Sequence, residues 1–409
     1  MTTLTPLSLA STPTLNGKSA RRDLTQRLAP FFRFGILALV YTFAASASLQ
    51  RFMTSYGFRG DQQGWGLERM IDGTAHRPFA YRVLSPTLIR AASSVVADRI
   101  PGRVRQFLVE ESPVLRLRNA SEYTGWDYSR ALHLHIAYVY VFLCFVGIGV
   151  AARYLLLSAG FRRSAFVDFA PGVAVLMLPI TFVNGAYVYD APELLLLTLA
   201  TALLLQQRWR WYYPVLVLAI LNKESDALLA FSFLAITWKT LESRAFWRHS
   251  AAHVLVCGGV LFAVRYALHD RPGSTVWTML QTNLQFWSDP RSYFLVFSGP
   301  TPLIPVPRGA NVVNLFLALF AVAAWWREKP SWLRRLIPVM FAINLPLLLL
   351  FCMHDELRNL SLTFPGMFIA LCLTLQRVYG GTEAAPQALP VADPGVSLRV
   401  PERRMVQHW

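Results

Sequence analysis

The feature that most constrains this chain is the spacing of its apolar runs. Long stretches without charge recur along its 409 residues, many near the roughly 18–20 residues that cross a hydrocarbon layer as a helix. A backbone in lipid must satisfy its own hydrogen bonds, so such runs fold as helices. Only 15% of the residues are charged, against roughly 25% in soluble domains, and the mean hydropathy is +0.38. The strand-like alternation of outer-membrane barrels is absent from the sequence. The fold class is therefore all-α: a polytopic transmembrane helical bundle of about nine to ten membrane helices, including one broken helical hairpin.

Charge falls at the ends of the runs. The net charge of +16 does not point to nucleic acid, because the basic residues lie mainly where the positive-inside bias puts them. Only four of the 39 basic residues are lysines: Lys18, Lys223, Lys239 and Lys329. Cys144, Cys257, Cys352 and Cys372 lie within or at the ends of apolar runs, with neither metal-ligand nor disulfide spacing.

Residues 1–30 read as a flexible cytoplasmic tail, 31–379 as the transmembrane domain and 380–409 as a second flexible cytoplasmic tail rich in Pro and Ala. The first run ends in Ala45-Ser46-Ala47, which also resembles a signal-peptidase site. The basic segment before it is long for a signal, so a retained span is the reading adopted. Residues 50–130 form a long outer loop with amphipathic helices. Short basic turns at Arg162/Arg163 and Arg208/Arg210 are cytoplasmic by the charge rule. The segment 211–238 has basic flanks on both sides and Asn222-Lys223-Glu224-Ser225-Asp226 in its middle. A straight helix would hold these polar residues at mid-membrane, at a cost of kilocalories per ion. A helical hairpin brings them to the outer surface. It also returns the later basic loop, Arg327 to Arg335, to the inside.

With the hairpin in place, four polar clusters reach one face. The first runs from Asp61 through Glu68, Asp72, His76 and Arg77 to Arg82. The second is Tyr187 to Asp190, followed by Glu193. The third is Asn222 to Asp226, where Lys223 needs an anionic partner: Glu224, Asp226 or a substrate phosphate. The fourth is His354-Asp355-Glu356-Leu357-Arg358-Asn359. Each has a bland alternative. Tyr187 and Tyr189 suit an aromatic belt, Asp190 and Glu193 a helix N-terminus, and Arg–acid neighbours a surface pair. Together they offer cations for a phosphate and carboxylates for a proton transfer. No nucleotide-binding loop occurs in a suitable context, so an ATP-driven reaction on this chain is not indicated.

Four of these stretches carry a resemblance. Asp61 followed by Trp65 sits soon after the first span. Arg77-Pro78-Phe79-Ala80-Tyr81-Arg82-Val83-Leu84-Ser85-Pro86 is similar to the Pro-Phe-x-Tyr-Arg-x-Leu-x-Pro segment of many bacterial membrane proteins. Tyr189-Asp190 follows the third span, and Leu221 to Ser225 forms a Leu-Asn-Lys-Glu-Ser segment. In architecture and motifs the chain resembles the GT-C superfamily of integral-membrane glycosyltransferases, which use polyprenyl-phosphate sugars. The resemblance implies sugar transfer from a lipid-linked donor at the outer face of a bacterial cytoplasmic membrane, with both termini cytoplasmic. Asp61 matches the first-loop catalytic acid, although Gln62 and Gln63 stand where a paired acidic motif is usual. Glu68 or Asp72 could hold that role instead. Arg82, Lys223 and Arg358 would hold the donor phosphate. Arg77, Asp190, Glu224, Glu356 and His354 would support them. No metal ligand is assigned. No cofactor is fixed, although a divalent cation is compatible. The partners implied are the lipid-linked donor and membrane lipids. Two other functions fit the composition: a transporter or flippase of an anionic lipid-linked glycan, and an acyl- or phospho-group transferase using His76 or His354.

Overall fold

The computed structural model describes residues 17–55, 57–58, 64–116, 126–182, 185–274, 278–297, 306–354 and 356–380. Asp61 and Asp355 lie outside the described residues. The chain divides into two compact units, Met1–Val40 with Pro394–Trp409, and Tyr41–Asp393. The described part of the first unit, residues 17–40, is the start of helix α1 (Gly17–Ser55). The contacts described below lie in the second unit.

Among the described residues, five helices are long and apolar enough to cross a membrane: Phe31–Thr54, Tyr128–Ser158, Ser243–Ala267, Ser331–Phe351 and Leu357–Tyr379. Two shorter apolar segments are Ala165–Thr181 and Val312–Ala323. Among the described residues the only ladder is two residues per strand, β1 (Val296–Phe297) against β2 (Val306–Pro307).

Helix α1 stops where Gly57 takes a left-handed φ of 58° and its N–H reaches back to the Phe52 carbonyl at 2.7 Å, a conformation that costs glycine little. Short helices α2 (Leu67–Ile71), α3 (Leu84–Ala97), α4 (Gly102–Gln106) and α5 (Pro113–Arg116) follow. Helix α6 (Tyr128–Ser158) starts at an Asp127 cap, which accepts the Arg130 N–H at 2.9 Å. Its Gly147 faces Leu195, and its Gly149 faces the Tyr41 ring. A Cβ at either would meet its neighbour at 3.0–3.1 Å, so small residues let these helices close up.

Helix α7 (Ala165–Met177) leads to α8 (Asp190–Leu205). Every α8 residue except Leu195 and Leu199 is buried, as expected of a helix apolar on all sides. Then come α9 (Trp209–Asn222), α10 (Leu229–Thr237), α11 (Ser243–Ala267), α12 (Leu280–Ser288), α13 (Val312–Ala323), α14 (Ser331–Phe351) and α15 (Phe364–Gly380).

Named contacts fix the directions of α6 to α11 and of α14. The last turn of α6 meets the end of α8 through Tyr154 Oη and Gln206 Oε1 at 2.7 Å. Helix α7 begins at that same end, where Asp168 pairs with Arg153 at 2.8 Å. Helix α9 climbs back, because Asn222 Nδ2 donates to the Tyr189 carbonyl beside the start of α8. Helix α10 descends. Phe233 in its middle packs 6.0 Å from Trp209 at the start of α9. Helix α11 rises beside α9, with His253 2.9 Å from Tyr212 Oη. Helix α14 rises beside α10, bonded from Arg335 to the Ala235 carbonyl and from Ser232 to Met340. The ends of α9 and α14 therefore meet the starts of α8, α10 and α15 at one end of the bundle.

Candidate functional site

That end holds a buried ion-pair network. Lys223 caps α9 in an extended conformation, φ −155° and ψ 126°, which ends the helix and frees its side chain to cross to α8. There Nζ donates to both carboxylate oxygens of Glu193, at 3.1 and 2.9 Å, and to Asn359 Oδ1 at 3.1 Å. The Ser361 hydroxyl also donates to Glu193. Lys223 is 6% exposed and Glu193 1%.

A second pair lies beside the first. Arg358 Nε sits 3.0 Å from Asp190 Oδ2, and Nη2 donates to Glu356 Oε1 at 2.7 Å. The third nitrogen of the guanidinium, Nη1, donates to the Gly185 carbonyl. Asp190 is held in turn by the Tyr187 N–H at 2.8 Å. Asn359 joins the two pairs, accepting from Lys223 and donating to Glu356 Oε2 at 3.0 Å.

The third cation is less committed. Arg82 Nε is 3.5 Å from Glu224 Oε2, beyond a good hydrogen bond. Its guanidinium lies 4.5 Å from the Phe79 ring and 4.2 Å from the Tyr189 ring, a cation–π setting. Tyr189 stacks on Tyr187 at 5.2 Å, Tyr187 packs on Phe79 at 5.1 Å, and Phe79 stacks on Trp65 at 5.5 Å. Lys223 Nζ is 5.9 Å from the Tyr189 ring, and Arg358 is 5.4 Å from Tyr187. One aromatic pair thus carries all three cations.

The surrounding backbone is tied down locally. Asn222 is fully buried and accepts from Ser85 at 2.6 Å, joining α3 to α9. The loop carrying Arg82 is anchored where Arg77 N–H meets the Pro272 carbonyl at 2.8 Å and Arg77 Nη2 the Gly273 carbonyl at 2.9 Å.

Of the residues selected by sequence, the structure brings together Arg82, Lys223, Arg358, Asp190, Glu224 and Glu356. Arg77 turns to the Gly273 carbonyl. His354 stacks on Phe286 at 3.8 Å. Asp61 lies outside the described residues. The partner of Lys223 differs from expectation: Glu193 and Asn359 take it, while Glu224 starts the next turn and faces Arg82. Glu193 and Asn359 stand in the polar clusters read from the sequence but carry no assigned role there, and Ser361 is not among them. A signal for Glu193 was available, since it stands three residues after Asp190 and so shares its helix face. Ser361 has none, because only the turn after α14 brings it close.

The arrangement is rich in acid. Among the described residues five carboxyl groups, Asp190, Glu193, Glu224, Asp226 and Glu356, stand with three cations, Arg82, Lys223 and Arg358. Asp226 is fully buried, and neither carboxyl oxygen has a hydrogen-bond partner among the described residues. A carboxyl group buried without a hydrogen-bond partner costs stability. Comparison with protein families, curated proteins and solved structures finds no match for this chain.

Proposed function

We propose that this protein is a membrane glycosyltransferase that moves a sugar from a polyprenyl-phosphate donor to an acceptor hydroxyl at the outer face of a bacterial cytoplasmic membrane. The observation that carries the reading is the convergence of Arg82, Lys223 and Arg358, from three separate segments, on the Tyr187–Tyr189 pair. The orientation is supported by the opposite end of the bundle, where the basic turns at Arg162/Arg163, Arg208/Arg210, Lys239 to Arg248 and Arg327 to Arg335 gather. In this reading the short helices α7, α8, α9, α10 and α13 complete a bundle of about nine to ten membrane helices.

The roles follow from how strongly each cation is held. Arg82 has the longest ionic contact and the partial exposure a donor needs, with its side chain 12% exposed. It contacts the donor phosphate. Lys223 and Arg358 are locked by carboxylates and supply fixed positive charge behind it. The bond from the anomeric carbon to the phosphate oxygen breaks, and its electron pair stays on that oxygen. The acceptor oxygen bonds to the same carbon, and its proton passes to a carboxylate, Asp61 by resemblance. Charge grows on the leaving phosphate, where preorganised cations stabilise it most.

The test uses purified protein in liposomes with labelled polyprenyl-phosphate sugars and an extract of candidate acceptors. Transfer should fall by about 100-fold or more in Arg82→Ala, the scale of losing one preorganised charge donor. Asp61→Asn should abolish it. Full transfer by either variant overturns the role assigned to that residue. A second reading, transport of an anionic lipid-linked glycan, is favoured by the break at Lys223 between α9 and α10, since discontinuous helices mark many transport sites. Movement of the lipid across the bilayer without covalent change would establish that reading instead.

A further inference from the structure

A separate group of side chains lies on the loop segment before Arg82. Glu68 is on α2 and Asp72 follows four residues later at its C-terminal cap. His133 stands near the start of α6. One ligand atom from each of the three lies within 4.8 Å of the others. Ligands of a dication with bonds near 2.1 Å lie about 3–3.4 Å apart when adjacent and about 4.2 Å when opposite, so the side chains draw together to close the set on an ion.

Two atoms of the group want a partner. Glu68 Oε1 and His133 Nδ1 are both buried and make no hydrogen bond among the described residues. A cation at this point would give both atoms a partner. Arg130 does not do so: it stays 3.8 Å from Glu68 Oε2, on a side chain 55% exposed.

We propose that Glu68, Asp72 and His133 bind a divalent metal ion that ties α2 to α6. Two carboxylates and one imidazole suit Mn²⁺ or Zn²⁺ better than Mg²⁺, which favours oxygen and water. Water completes the shell. The ion joins the loop segment that carries Trp65, Phe79 and Arg82 to the bundle, and so steadies the aromatic face of the network. A metal ligand is not free to act as a base, so this site also removes Glu68 and Asp72 as substitutes for Asp61. The metal site does not depend on sugar transfer.

The test uses the full chain in lipid nanodiscs, stripped with a chelator, then incubated with MnCl₂ or ZnCl₂ and desalted. Elemental analysis should find one ion per chain. Bound Mn²⁺ should show nitrogen modulation from an imidazole in its pulsed electron paramagnetic resonance. His133→Gln should remove that modulation, and Asp72→Asn should weaken binding by at least about tenfold, a loss that outer-shell changes alone can cause. Asp72 is exposed, so its replacement leaves the fold intact. No ion above background in the folded wild type overturns the site. So does equal retention by wild type and both variants.

Discussion

At the residue scale, Lys223 is the most informative position. A lysine with this little exposure is tolerable because Glu193 grips it with both oxygens and Asn359 takes a third donor. Removing one partner leaves the other as a buried, unpaired charge, which costs about 3–5 kcal/mol. Lys223→Met should therefore lower the thermal unfolding temperature in detergent sharply. The double variant Lys223→Met with Glu193→Leu should recover most of the loss, because an apolar pair of similar volume is often neutral. Equal losses in the single and double variants would show that the ion pair is not the source of the cost. Asn222 is tested the same way. Asn222→Leu removes the bonds to the Tyr189 carbonyl and from Ser85, which keep the Glu193 N–H and Tyr140 as partners, so the loss should be about 0.5–1.5 kcal/mol per bond.

At the element scale, the Arg82 loop is positioned by a contact the helices do not supply. Gly273 has a φ of 100°, and a Cβ there would lie 2.8 Å from the Arg77 carbonyl and 3.0 Å from His76 Cβ. Gly273→Ala should push the loop off. Hydrogen exchange at the Arg77 amide, now bonded to Pro272, should quicken while α6 and α8 are unchanged. Unaltered exchange would mean the loop is held from elsewhere. The same scale separates what the sequence revealed from what it hid. The helical class was legible, because apolar runs leave lipid-facing backbone no alternative. The polar segment at Asn222–Asp226 was legible as a break for the same reason. The depth of each helix was not. Helices α8 and α11 both read as apolar runs, yet α8 is buried nearly all round while α11 buries only Phe246, His249, His253 and Cys257. Side-chain partners across the bundle were hidden too. Glu193 and Ser361 are 168 residues apart, and only the return of α14 brings them together. Length was misleading as well: the apolar stretch after Arg162/Arg163 divides into the 13-residue α7 and a 3₁₀ turn at Leu178–Thr181.

At the scale of the whole molecule, the common site depends on the direction of α9 and α10. If α9 and α10 formed one continuous span, α14 would run the other way. Arg358 would then leave Asp190 for the opposite end of the bundle. The contacts from Trp209 to Phe233 and from Arg335 to Ala235 require the hairpin instead. The consequence can be read in membranes. In a chain with Cys144, Cys257, Cys352 and Cys372 replaced, single cysteines are placed at exposed Arg210, Glu242 and Asp270. Arg210 precedes the rise of α9, Glu242 follows the descent of α10, and Asp270 follows the rise of α11. An impermeant maleimide should label Asp270→Cys from outside intact cells, while Arg210→Cys and Glu242→Cys should label only after the membrane is opened. Labelling of Arg210→Cys and Glu242→Cys from opposite sides would place Lys223 and Arg358 at different surfaces and dissolve the network as a single site.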